Sequence, residues 1–229
     1  MSLQVYPPII VTNIIVNKFI PYRGYKILTE NILNDDEIIS AMERVGHLQI
    51  NALNTRNPRG LRDKVIIVIL KSNDNGGLEL KRVKKVIEII DNTEYSKSDT
   101  LDEVFLIVNK DFFDKKNFID IVKELLLRQN GDLDVNGLSP FYTVCPYHNF
   151  AFDVPNCKII YPHEIMTKDE ITELLQSERI TIKDLPTILS NDVPLIWNGA
   201  RIGQVIRILR KSESALESIY YRKVEPYLR

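Results

Sequence analysis

The sequence predicts a mixed α/β (α+β) protein in two parts: an N-terminal domain over residues 1–154 and a small α+β tail over residues 155–229. Three observations predict it. Helix-spaced apolar residues alternate with short, continuous apolar runs through the first part. Around Pro155 to Pro162 that pattern gives way to short capped helices and alternating strands. The composition, 44% hydrophobic and 27% charged over 229 residues, is that of a globular chain able to bury a real core without a disulfide or metal staple.

Each element has a local cause. Ile10, Ile14, Ile15, Phe19 and Ile20 recur at helical spacing over Ile9–Ile20, and Gly24 supplies the stop. A second helix begins at Asn34 as N-cap, with Asp35, Asp36 and Glu37 in its positive first turn, and ends at Gly46. Asn51 to Asp63 has no consistent period and carries Asn57-Pro58 and Arg59-Gly60, which reads as loop. Lys64–Leu70 reads as a buried strand, Ser72 to Gly77 as a turn, and Leu78–Leu80 as a short strand after it. Val83, Val86, Ile87 and Ile90 share one face of a helix over Arg82–Ile90, and Glu103–Val108 is a further strand. Asp114 can cap a helix from Lys115 to about Arg128, with Phe118, Ile121, Val122, Leu125 and Leu126 as its inner stripe. Asn130 to Pro140 is a polar connection.

In the tail, Thr167-Lys-Asp-Glu170 is a capping box ahead of Ile171, Leu174 and Leu175. Pro194 to Trp197 forms a short helical turn closed by Asn198-Gly199. Gln204–Arg210 and Ser218–Val224 read as two strands. Alternation puts Tyr220, Arg222 and Val224 on one face and Ile219, Tyr221 and Lys223 on the other.

Charge excludes one class of function. Thirty Lys and Arg stand against 31 Asp and Glu, a net charge of −1. A protein that coats nucleic acid by bulk charge needs a cation surplus, so only a local basic patch is open to this chain. Two such clusters exist: Arg56, Arg59, Arg62 and Lys64 on a loop, then Lys81, Arg82, Lys84 and Lys85 at a helix start. The second sits where positive charge opposes the helix dipole, which adds some weight to a functional reason, while a solvated face is the usual explanation of such a cluster. No apolar run reaches membrane-spanning length; the longest is Val65 to Leu70. Two cysteines and an N-terminus without a cationic start predict a soluble protein of a reducing compartment. Glycine is scarce, at nine, and neither a GxGxxG nor a phosphate-loop motif occurs.

Two constellations carry chemistry on paper. Cys145, His148, Cys157 and His163 are all zinc-capable residue types, but only the first pair has ligand spacing; the alternative is buried thiols and histidines used in packing. Asp63, a hairpin, then Glu79 and Lys81 on one face of a strand is the arrangement of a restriction-endonuclease-like site. There two carboxylates hold Mg²⁺ and a lysine positions the attacking water. A Mg²⁺-dependent nuclease is therefore the enzyme alternative.

The tail carries a more specific pattern. Pro162 to Leu175, Leu185-Pro186, Asn191 to Ser214 and Tyr220 to Arg222 together resemble the small fifth subunit of archaeal RNA polymerase, equivalent to the C-terminal domain of the fifth subunit shared by eukaryotic nuclear RNA polymerases I, II and III. Arg23-Gly24-Tyr25, the strand near Val65 and the helix from Lys81 resemble the N-terminal domain of that eukaryotic subunit. Departures at Val193, where the family has proline one place earlier than Pro194, and at Ile202 and Leu216 mark a divergent member, of the kind a large DNA virus with its own polymerase encodes.

The resemblance implies a restriction-endonuclease-like N-terminal fold, a tail folded like the archaeal fifth subunit, and a non-catalytic structural and assembly role. It implies no catalytic residue, metal or cofactor of the chain's own. The tail is expected to dock on the largest polymerase subunit and meet other subunits, with His163, Pro186, Gly199, Gly203, Arg210, Ser212 and Glu213 supporting that interface. The N-terminal domain is expected to line a jaw beside downstream duplex DNA, touching phosphates through Arg59, Arg62, Lys81, Arg82, Lys84 and Lys85. No membrane contact and no homo-oligomer are implied. The location is the nucleus for a cellular member, and a cytoplasmic viral factory or the virion for a viral one.

Overall fold

The computed structural model describes residues 8–28, 34–56, 63–71, 80–97, 100–109, 116–130, 140–212 and 216–227. The chain divides into two compact units, Met1–Ala151 and Phe152–Arg229, a division three residues before the one expected from sequence.

In the first unit, α1 (Pro8–Ile14) runs through a π-helical turn, Ile15–Phe19, into α2 (Ile20–Tyr22). Pro21 has no N–H to give four residues back, and the helix widens just ahead of it, with the Ile20 N–H reaching the Ile15 carbonyl. Val11, Ile15 and Phe19 stay buried on one face. Helix α3 (Asp35–Val45) has the expected start and stop. The Asn34 side chain accepts from the Glu37 N–H while the Glu37 carboxylate accepts from the Asn34 N–H, and Gly46 closes the helix at φ 80°.

Among the described residues the first sheet has five strands in the order β1 (Tyr25–Ile27), β2 (His47–Asn54), β3 (Lys64–Leu70), β4 (Leu101–Val108) and β5 (Phe141–Pro146). β1, β2 and β3 pair antiparallel, while β3, β4 and β5 pair parallel. The parallel connections carry α4 (Leu80–Asp91), α5 (Glu94–Lys97) and α6 (Lys116–Asn130). Burial of β3 from Val65 to Leu70 and of β4 from Val104 to Val108 explains their unbroken apolar runs, because a central parallel strand is covered on both faces.

Four sequence expectations need correction here. Asn51 to Asn54 is strand rather than loop: Leu48, Ile50 and Ala52 point inward and β2 pairs along the whole of β3, so pairing overrides the low strand propensity of asparagine. Strands β1 and β5 were not expected. β1 is only three residues long, and β5 follows a connection with no apolar run. Leu80 and Lys81 are helical, so the strand placed over Leu78–Leu80 does not hold at Leu80. Leu78, Glu79, the turn at 72–77 and the Asp114 cap lie outside the described residues.

Among the described residues the second unit holds a four-stranded sheet in the order β6 (His163–Ile165), β8 (Val205–Ser212), β9 (Leu216–Glu225) and β7 (Thr187–Leu189). Each face has its own small core. One gathers Ile188, Ile206 and Val224 under Leu195 of α8 (Val193–Asn198). The other gathers Val205 and Met166 under Leu174 of α7 (Lys168–Glu178), with Tyr221 against it. The capping box of Thr167 and Glu170 forms as the sequence predicts.

Candidate functional site

The expected interface residues of the tail fall into a definite geometry. β6 pairs His163 with Ile208, and β8 pairs Ile208 with Tyr220 and Arg210 with Ser218. Alternation therefore puts His163, Arg210 and Tyr220 on one face of the sheet. β6 ends its pairing opposite Ile208, and the β8–β9 pair continues past it to Ser212 and Leu216 as a two-stranded arm. Ile219, on this arm, is 51% exposed on one face of the sheet, and Tyr220, opposite Ile208 at the arm's base, is 45% exposed on the other.

His163 is held rather than free. Its Nδ1 lies 2.6 Å from the Tyr161 carbonyl, and its own carbonyl accepts from the Asn198 amide at 3.1 Å. The Arg210 guanidinium lies 5.5 Å above the Tyr161 ring, a cation–π contact. Glu213, its expected surface partner, is outside the described residues, as is the Ser212 side chain. The exposed Pro186 gives its carbonyl to the Lys223 N–H and so starts the β7–β9 pairing. Gly199 closes α8 at φ 80°, and Gly203, at φ 89°, donates to the Val224 carbonyl.

Sequence reasoning missed Arg207. It donates to Glu164 at 2.9 Å and to Glu170 at 3.1 Å, tying β8 to β6 and to the first turn of α7. The Thr167 N–H and hydroxyl, then Arg207, hold the Glu170 carboxyl below its ordinary value, so one carboxylate serves cap and ion pair together. The only signal was the Glu of the capping box, which does not say where its second oxygen goes.

In the first unit Lys81, Arg82, Lys84 and Lys85 occupy the first turns of α4. At about 100° per residue, Lys81, Lys84 and Lys85 lie within an arc of roughly 100° and all three are exposed. Arg82 lies against Gly46, where a Cβ would stand 2.6 Å from the guanidinium carbon. Burial lowers the pKa of His47, and the nearby charges of Arg82 and Lys85 lower it further. Arg59 and Arg62 lie outside the described residues.

The nuclease pattern does not survive. Lys81 is on a helix, so the strand geometry that aims a carboxylate and a lysine at one metal is absent at this position. Asp63 pairs with Lys64 at 3.3 Å. Of the zinc-capable residues, Cys145 and His148 belong to the first unit and Cys157 and His163 to the second. Among the described residues no three His, Cys, Asp or Glu side chains converge to hold a metal ion, and no helix is long and apolar enough to cross a membrane.

A largely buried polar group was also unseen. Arg23 donates to Glu103 at 2.5 Å, Tyr25 donates its hydroxyl to the same carboxylate oxygen, and Glu103 is buried while Arg23 is partly buried. The guanidinium also faces the rings of Phe19, Tyr25 and Phe105 at 5.0–5.8 Å. Burial opposes the charge on Arg23, but Glu103 holds its pKa above the ordinary value; burial and Glu103 together push the Tyr25 hydroxyl up, keeping it a donor. The group is sealed, and it locks the end of α2 to β1 and β4.

Comparison with known proteins fits this architecture. Residues 152–224 match the family described as RNA polymerase Rpb5, C-terminal domain. The DNA-directed RNA polymerase RPB5 homolog of African swine fever virus is 30% identical over 207 residues, covering 90% of this chain and 92% of the relative. The archaeal subunit Rpo5 matches a shorter stretch: 38% identity over 31% of this chain and 91% of the relative from Methanococcus vannielii, and 41% over 29% and 85% from Methanocaldococcus jannaschii. With a two-part fold, a tail matching the Rpb5 C-terminal domain and a viral relative aligned over nine-tenths of its length, the chain belongs to the RPB5 family of DNA-directed RNA polymerase subunits.

Proposed function

We propose that the chain is a non-catalytic structural and assembly subunit of a multisubunit, DNA-dependent RNA polymerase. In this reading the tail docks on the largest subunit through the face that carries His163, Arg210 and Tyr220, with Pro186, Gly199 and Gly203 fixing the turns around it, and Ser212, at the end of β8, and Glu213 contributing to the same interface. The observation that carries it is the exposure of Tyr220 at the base of the β8–β9 arm and of Ile219 on the arm, large side chains that gain little from standing in water. The first unit lines downstream duplex and touches phosphates from α4, with Arg59 and Arg62 contributing further contacts. Viral relatives favour a viral source, and with it a viral factory or virion as the place of work. The chain acts as one copy within the assembly rather than as a homo-oligomer.

Co-purification tests the reading. A tagged copy expressed in its native setting is expected to bring down the largest polymerase subunits, and Arg210→Ala and Tyr220→Ala are expected to reduce that recovery while the free protein keeps its circular dichroism spectrum. Purification of the tagged protein without any polymerase subunit would refute it.

A further inference from the structure

Two arginines of β8 stand in opposite situations. Arg207, on one face of the tail sheet, gives its guanidinium to Glu164 and Glu170 of its own chain. Arg210, on the other face, is exposed and has no carboxylate or hydrogen-bond partner among the described residues. What it has is an aromatic platform, the Tyr161 ring, whose centroid lies 5.5 Å from the guanidinium carbon.

That platform is itself held. The His163 Nδ1 lies 2.6 Å from the Tyr161 carbonyl, and the Asn198 amide donates to the His163 carbonyl at 3.1 Å, so the end of α8 and the start of β6 fix the backbone that carries the ring. Stacking occupies the flat face of a guanidinium and leaves its N–H edge open, which suits two parallel hydrogen bonds to a carboxylate. A second ring stands close by. Tyr220 pairs opposite Ile208, diagonal to Arg210 on the same face, and both it and Tyr161 are exposed. An arginine with exposed tyrosines is the composition of an interface hot spot.

Charge decides the occupant. On this face Arg222 donates to the Thr187 carbonyl and, with His163, offsets the charge of Asp192. Among the described residues that leaves the Arg210 guanidinium without an acid. Nucleic acid is held by several cations spaced along a phosphate backbone, and one guanidinium does not supply them. A single open guanidinium beside two rings fits an acidic side chain of a protein segment that also carries an apolar neighbour.

We propose that Arg210 is the specificity-determining residue of the tail's docking face: it takes a carboxylate of the largest subunit in a two-pronged ion pair, while an apolar side chain of the same segment covers the rings of Tyr161 and Tyr220. Tyr161 is a positioning residue, holding the guanidinium ready for that pair. The inference rests on the docking reading above and adds the chemistry of the segment that docks.

The test uses the full-length protein and the recombinant largest subunit of the same polymerase, with dissociation constants measured over a salt series. Arg210→Glu is expected to weaken binding about a hundredfold, and Arg210→Lys, which keeps the charge but loses the fork, roughly tenfold. Arg210→Gln is expected to leave the remaining affinity less dependent on salt, a readout that lost packing alone would not move. Tyr161→Leu should give a loss close to that of the lysine variant. Circular dichroism checks that each variant is folded. One acidic residue of the largest subunit, changed to arginine, is expected to restore binding to the Arg210→Glu variant. The proposal is overturned if Arg210→Glu binds like the wild type or if no such change in the largest subunit restores it. It is also overturned if Arg210→Gln weakens binding to a short DNA duplex and leaves subunit binding unchanged, which would make the occupant nucleic acid. A wild-type chain that does not bind the largest subunit overturns the docking reading and the proposal with it, a result distinct from a wild-type complex indifferent to Arg210.

Discussion

Glu103 is the more deeply buried of two neighbouring acids in a strand otherwise made of buried apolar side chains, and Arg23 is what makes that tolerable. Removing one member of a buried, hydrogen-bonded ion pair leaves the other uncompensated. Glu103→Ala is therefore expected to cost about 3–5 kcal/mol in urea unfolding of the first unit. Gly203 makes a different demand. A Cβ there would meet nothing within 4 Å, so its only obstacle is the backbone at φ 89°. Gly203→Ala should cost about 1–2 kcal/mol by thermal unfolding, and a larger loss would mean packing that the open space excludes. These two residues also mark how far the sequence could be read. The glycine stops at Gly46 and Gly199 were legible because the cause is local. The Arg23–Glu103 pair was not, because its members are 80 residues apart and nothing in either segment names the other.

At the scale of elements, α7 links charge to acidity. Hydrogen bonds from Thr167 depress Glu170, and hydrogen bonds from the Thr181 hydroxyl and N–H depress Asp184. A carboxyl whose folded pKa lies below its unfolded value lends stability at higher pH and loses it as pH falls through the folded pKa. The tail should then weaken as pH drops below about 4.5, and Glu170→Gln with Asp184→Asn should flatten that acid limb in a pH series of melting temperatures. Asp192, raised by burial, works the other way: its contribution is present below its unfolded pKa and fades as pH rises through the higher folded one.

Helix α4 permits a separate test. Replacing Arg59, Arg62, Lys81 and Lys84 with alanine in the assembled polymerase should lower the log–log salt slope of duplex binding by about 0.9 for each phosphate no longer neutralised. An unchanged slope would make them an ordinary solvated face. Element type was largely readable where period and caps agreed, as in α3, α7 and β3. It failed where an asparagine-bearing strand such as β2 depends on its neighbour for its existence.

For the whole molecule, the two units differ in how their sheets are stitched. The tail's alternation was legible in Tyr220, Arg222 and Val224 against Ile219, Tyr221 and Lys223, yet that His163 and Arg210 share a face follows only from the β6–β8 register. The parallel strands of the first unit pair residues far apart in sequence, Val65 with Glu103 and Glu103 with Phe141, each across a helical crossover. The β8–β9 hairpin pairs Ser212 with Leu216 and then zips outward. Closing long loops before any pairing is gained slows folding, whereas a hairpin forms on a microsecond scale once its turn closes. In stopped-flow refolding the tail's tyrosine signals should recover before the parallel sheet does. During synthesis the order of emergence is the reverse, so the slower half leaves the ribosome first and has the time of the tail's translation to find its register.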